Sequence, residues 1–224
     1  MTGPARKGIA FVVAAPSGTG KTTICHAVVD ADDQIVHSIS HTTRRPREGE
    51  EDGIHYHFVD AQTFRRMVDD GEFLEHANYN GNLYGTSREA LRVEMEERGR
   101  DVLLEIEVQG AQQLREKDTG ACFIFLLPPS LTELARRLRA RGTDDEETIN
   151  KRLAIVDNEL KAVGHFDYAV VNDDLDDAIA GVAGIIAAER SGDAAAIERT
   201  AERHGRERVW ATWREANEKD LPAS

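Results

Sequence analysis

The chain has 224 residues, 40% hydrophobic and 31% charged, with a formal net charge of −13. That size suits one compact α/β domain with small inserted lobes, and no run of 18 apolar residues offers a membrane span. The acidic balance argues against a nucleic-acid polymer as partner, and two cysteines give neither a disulfide framework nor metal-ligand spacing.

Cys25 and Cys122 lie in apolar segments and read as buried thiols of a reducing compartment. The N-terminal "MTGPARKG" has no apolar signal region, so the expected location is the cytoplasm.

Along the chain, Ile9 to Ala15 is a short run rich in Val, Ile and Phe, the pattern of a buried strand. From Lys21 the apolar residues Ile24, Ala27 and Val28 recur at helical spacing. Between them lies "APSGTGKTT", in the strand–turn–helix context that a phosphate loop requires. Gly18 and Gly20 let backbone N–H groups approach an anion, and the helix start adds its orphan donors and positive dipole end. Lys21 can reach terminal phosphate oxygens, and the Thr22 hydroxyl can serve a bound Mg2+. The pattern G-x-x-x-x-G-K-[ST] is met with one departure, Ala15 in place of the first Gly. A turn that merely caps a helix would not need Lys and Thr in register.

Residues 37–87 break the alternation of strands and helices and read as a small mixed lobe with short antiparallel strands. Ser40, Arg44, Arg47 and Tyr56 offer a hydroxyl, two guanidinium forks and a phenol, a set suited to phosphate oxygens. Glu75, Tyr84 and Thr86 follow in the same lobe. Its histidines, His37, His41, His55, His57 and His76, include one H-x-H, too little to define a metal site.

Val102–Val108 is a second core strand, with Glu105 and Glu107 two apart and so expected on one face near its C-terminal end. Ligands of open α/β sheets sit beyond such ends. Phe123–Leu127 and Tyr168–Val171 complete the set, which predicts a parallel sheet covered by helices. Residues 129–153 carry an arginine island, "RRLRAR", with Arg152 beyond it. This is either a mobile lid or a solvated helix face, and Thr143 looks like a helix start. Leu175, Ala178, Ile179, Val182, Ile185 and Ile186 form a helical stripe. After Ser191 the chain turns polar and Ala-rich, but Val209, Trp210 and Trp213 predict a helix docked on its own core or on a second subunit, as in a homodimer.

These segments closely resemble the guanylate kinase family. "APSGTGKTT", "SISHTTRRPR", "GIHYHFV", "EFLEHA", "NLYGTS", "LEIEVQGAQ", "RARGTDDEETINKR" and "VVNDDLDDA" occur in the family's order over about residues 9 to 185. The resemblance implies a P-loop kinase with a central parallel sheet flanked by helices. It divides the chain into a core (1–36, 88–128, 154–190), a GMP-binding lobe (37–87), a lid (129–153) and a helical extension (191–224). It also implies transfer of the γ-phosphate of ATP to GMP.

By resemblance, ATP and its Mg2+ sit on Ala15, Pro16, Ser17, Gly18, Thr19, Gly20, Lys21, Thr22 and Thr23, with Asn172 near the adenosine. The GMP phosphate is held by Arg44, Arg47, Tyr56 and Tyr84, and guanine is read by Ser40, Glu75, Thr86 and Glu107. Arg137, Arg141 and Arg152 close from the lid and join Lys21 and Arg44 as catalytic cations, while Glu105 reaches the metal through water. Glu105 and Glu107 stand where the family usually has Asp at one or both positions. The chemistry agrees: a GMP phosphate is already an ionised nucleophile, so positioning and charge neutralisation suffice without a strong general base. Two rivals remain at this level. One is a P-loop kinase for another monophosphate or a small phosphorylated sugar. The other is a non-catalytic scaffold of the same fold that binds phosphorylated peptides.

Overall fold

A computed structural model describes residues 6–79, 81–140 and 146–219. β1 (Ala10–Ala14) leads through the glycine loop into α1 (Lys21–Asp30) and β2 (Ile35–His37). The lobe contributes β3 (His41–Thr42), β4 (His57–Phe58), α2 (Ala61–Asp69), β5 (Phe73–Tyr79) and β6 (Asn82–Ser87). α3 (Arg88–Arg92) and a π-helical turn return the chain to β7 (Asp101–Glu105), α4 (Val108–Glu116) and β8 (Cys122–Leu127). Then come α5 (Leu131–Ala140), α6 (Glu146–Lys161), β9 (Tyr168–Val171), α7 (Leu175–Ser191), α8 (Ala194–His204) and α9 (Arg206–Ala216).

The main sheet has order β2-β7-β1-β8-β9 and is parallel throughout. β1 is central, and Phe11, Val12, Val13 and Ala14 are fully buried. Burial on both faces is why these strands are continuous apolar runs rather than alternating ones. One face packs against α4, α6 and α9, the other against α1 and α7. Both cysteines are buried, and Ala178, Val182, Ile185 and Ile186 of α7 face the core as their spacing predicts. Fully buried Asp101 accepts from the Ile9 backbone and from the Arg6 and Arg190 guanidiniums, pinning the start of the domain to α7.

The lobe is a second sheet of order β4-β3-β6-β5, with β3–β6 and β5–β6 antiparallel and β3–β4 parallel. Phe64 and Met67 of α2 pack on Phe73 to give it a small core of its own.

One expectation is corrected. The strand expected over Val102–Val108 ends at Glu105, because Glu107 is already the N-cap of α4. Glu105 and Glu107 therefore do not share a strand face. The extension forms two helices, with Trp213 buried in this chain's own core and Val209 and Trp210 packed beside it. Inside the segment expected as a lid, α5 buries Leu134 and Leu138 completely in the main core. Thr143 and Arg141 lie outside the described residues.

Candidate active site

The glycine loop owes its shape to two left-handed residues. Gly18 has φ +93° and Gly20 φ +99°, conformations that L side chains rarely adopt. Ala15 serves in the first position because it needs no positive φ; among the described residues only Asp118 has one without being glycine. Pro16 is buried, and its carbonyl accepts from Thr19 N at 3.2 Å, closing the turn. The Asn172 amide donates to Thr19 O at 2.6 Å, and a Cβ on Gly20 would lie 2.5 Å from that nitrogen. Asn172, at the end of β9, thus holds the loop from behind.

At the start of α1, Lys21 donates to Ile106 O at 2.6 Å and pairs with Glu107 at 3.6 Å. Burial works against its charge, but Glu107 and Glu105 outweigh it and hold the ammonium above its ordinary pKa. Thr22 donates to Glu105 at 2.5 Å, while Thr23 is exposed. The two glutamates therefore converge on one helix start, from a strand end and a helix cap respectively. A third carboxylate, Glu159 of α6, joins them. Burial first, and then the field of Glu107, push it up to about 7 against the pull of Lys21, and its Oε2 is fully buried without a hydrogen-bond partner. Sequence reasoning missed Glu159, because on α6 it reads as one more charge of a solvated helix.

In the lobe, Arg44 pairs with Glu50 at 2.8 Å and its guanidinium lies 5.3 Å from the Tyr56 ring centre. The Tyr56 and Tyr84 rings meet edge to face at 6.1 Å. Burial, then Glu105 and Tyr84, raise the Tyr56 phenol, so it stays a donor. Arg47 is exposed, with its backbone N–H on Glu50. Glu75, 3% exposed, accepts from the hydroxyl of fully buried Thr86 at 2.6 Å, its register partner across β5–β6. Burial pushes this carboxyl up, and the Thr86 hydrogen bond offsets only part of that. A Cβ on Gly110 would sit 2.5 Å from Glu75 Oε2, so any other residue there would push that carboxylate aside. The same helix grips β5 through Gln113 on the His76 carbonyl (2.9 Å) and Lys117 on the Leu74 carbonyl (2.6 Å). Ser40 is half-buried, and its carbonyl accepts from His57 N at 2.9 Å.

From the lid segment, Arg152 reaches Ser17 Oγ at 3.3 Å. Arg137 donates to Asn172 O at 3.1 Å and pairs with Glu133 on its own helix at 2.8 Å. Arg136 and Arg139 pair with Glu133 and Glu146. These two read as the solvated face, whereas Arg137 and Arg152 touch the loop or its support.

A glycine-bent anion loop at the C-terminal end of a parallel sheet, facing an inserted lobe with its own arginine and buried carboxylate, defines a P-loop kinase. The family model for guanylate kinase matches residues 7–189. The chain belongs to the guanylate kinase family. It is 49% identical over 183 residues to the guanylate kinase of Alkalilimnicola ehrlichii, covering 82% of this chain and 90% of that one. Identity to the guanylate kinase of Oleidesulfovibrio alaskensis is 51% over 173 residues, covering 77% and 84%. The crystal structure of guanylate kinase from Anaplasma phagocytophilum superposes with a TM-score of 0.68 at 34% identity, covering 82% and 87%. Likeness to enzymes over most of the chain leaves the scaffold and other-substrate readings without support. Among the described residues no helix is long and apolar enough to cross a membrane.

Proposed function

We propose that the protein transfers the γ-phosphate of ATP to GMP, giving ADP and GDP, with ATP on the loop Ala15–Thr22 and GMP in the lobe. A GMP phosphate oxygen attacks the γ-phosphorus while the bond to the β–γ bridging oxygen breaks, and the electron pair leaves with ADP. Chemistry of this kind is mainly alignment and charge neutralisation. Lys21 follows the transferring group, Arg44, Arg47, Tyr56 and Tyr84 hold the acceptor phosphate, and Arg137, Arg141 and Arg152 neutralise charge from the lid side. The fixed root of that lid is α5, whose Leu134 and Leu138 are fully buried. Purine nucleotide recycling in the cytoplasm is the setting this implies.

The hydroxyl of Thr22 beside the carboxylate of Glu105 is a hard oxygen pair of the kind Mg2+ accepts while keeping most of its waters. Thr22 would hold the ion and Glu105 would reach it through water. Bound with ATP, Mg2+ would neutralise phosphate charge.

The observation that carries the acceptor assignment is buried Glu75, oriented by Thr86. Guanine offers N1–H and the 2-amine as donors to Glu75 and Glu107, and O6 as an acceptor for Ser40. Adenine has an acceptor at N1 and no 2-amine, so it would face Glu75 and Glu107 with a lone pair and bring no donor to either. Steady-state kinetics with GMP, IMP and AMP test this. GMP should exceed AMP by about 10⁴-fold or more in kcat/KM, the scale for sites that hydrogen-bond a particular donor, with IMP in between. AMP turning over as fast as GMP would remove Glu75 and Glu107 from the reading.

A further inference from the structure

The family match ends at residue 189, so α8 and α9 lie beyond it. α9 is nonetheless fastened to the domain at both ends. At its start, Arg206 donates to the Phe166 carbonyl at 2.7 Å, just before β9. At its end, the Trp213 indole N–H donates to the Pro128 carbonyl at 2.5 Å, and the Asn217 amide donates to the Pro129 carbonyl at 3.1 Å. Trp213 is 3% exposed and Asn217 5%, and Trp210 stacks on the indole with ring centres 5.3 Å apart. Two adjacent prolines have no N–H to give, so at Pro128 and Pro129 the carbonyls are the only backbone groups that can be held. Both are taken by α9.

That turn joins β8 to α5. Leu134 and Leu138 of α5 form the wall behind the glycine loop: a Cβ on Gly18 would lie 2.8 Å from Leu138 Cδ2 and 3.1 Å from Leu134 Cδ1. Arg137 of the same helix donates to the Asn172 carbonyl, and Asn172 holds Thr19. An unbroken path of contacts therefore runs from α9 through Pro128–Pro129 and α5 to the loop. The acceptor lobe is reached by none of these bonds.

We propose that Trp213 and Asn217 are positioning residues for ATP. They clamp the β8–α5 turn and so fix the wall and arginine against which the glycine loop is shaped. The inference rests on the loop being the ATP side.

Trp213→Phe keeps a buried ring but loses the donor. Asn217→Leu keeps the branched shape without a charge and loses the amide donor, which serves both the Pro129 and the Trp213 carbonyls. Each should raise KM for ATP about three- to tenfold, the scale of the one bond each loses to the turn. KM for GMP should stay within about twofold, because the lobe lies off the path. Because Asn217 also bonds the Trp213 carbonyl, removing both donors should exceed either single effect and fall short of their product. The measurements are KM for each nucleotide, kcat and Tm for all variants, with Lys21→Ala alongside. A fall in Tm with both KM values unchanged would make α9 a stabilising element only and overturn the proposal. So would an equal rise in both KM values, which signals general loosening. Full turnover in Lys21→Ala would instead strike the ATP site itself, a separate failure.

Discussion

Replacing Gly20 by Ala tests the loop geometry most directly. A side chain at φ +99° must adopt a left-handed conformation, which costs about 1–2 kcal/mol. Its Cβ would also lie 2.5 Å from the Asn172 side-chain nitrogen, and that amide is pinned by its bond to Thr19 O. Asn172 is 4% exposed, so pushing it away leaves a buried donor and a carbonyl unpaired, about 1–3 kcal/mol more. The sum, about 2–5 kcal/mol, corresponds to a fall in Tm of roughly 5–20 °C for a chain of this size. Turnover should fall by on the order of 10²-fold, since displaced loop amides no longer meet the phosphates. Gly164→Ala is the control, because no atom lies within 4 Å of its Cβ and its φ is ordinary. Thermal unfolding and a coupled ATP–GMP assay read both effects. A Gly20→Ala enzyme with Tm within about 2 °C of wild type and unimpaired turnover would refute the steric argument, given the magnitudes above.

Gly110→Ala should act on the other substrate. Alanine favours the helix by up to about 1 kcal/mol, yet its Cβ displaces the Glu75 carboxylate from Thr86. Stability should hardly change while KM for GMP rises about tenfold or more and KM for ATP stays put; equal KM values to wild type would contradict a fixed Glu75. Glu159→Gln should show in the pH dependence of stability. The folded carboxyl, raised to about 7, favours the protonated form, so its contribution is intact below the ordinary glutamate range and is lost as pH rises through 7. The variant should therefore gain on wild type by up to about 3 kcal/mol, roughly 5–12 °C in Tm, near pH 8, and the gain should shrink to below about 1 kcal/mol at pH 5. Parallel Tm curves from pH 5 to 8 would show that Glu159 titrates normally.

The strands β1, β8 and β9 were legible because strands buried on both faces must be continuous apolar runs. The phosphate loop was legible because left-handed turns demand glycine and anions demand a helix start. β2 escaped notice because Ile35–His37 is three residues long and completed only by its pairing with β7. Two-residue spacing puts Glu107 on the strand of Glu105, because it carries no mark of where a helix cap begins. Gly110 carries no mark in the sequence, and only the approach of Glu75, 35 positions away, gives it a role. Tertiary proximity also separates Glu159 from the many exposed glutamates of the chain.

The hold of α4 on β5 has an effect on the order of events. Gln113, Lys117 and the close approach at Gly110 anchor the strand that carries Glu75 to the helix that begins at Glu107. On the proposed assignment the base-reading residues are thus tied to α4, whereas Arg44 and Tyr56 lie just outside the short strands β3 and β4 at the far side of the lobe sheet. A swing of the lobe would then pivot at the Glu75 end and carry Arg44 and Tyr56 through the larger arc. On the proposed assignment a nucleotide would be sorted by its base before the arginines came to bear on its phosphate, and a mismatched monophosphate would be turned away from an open enzyme rather than expelled from a closed one.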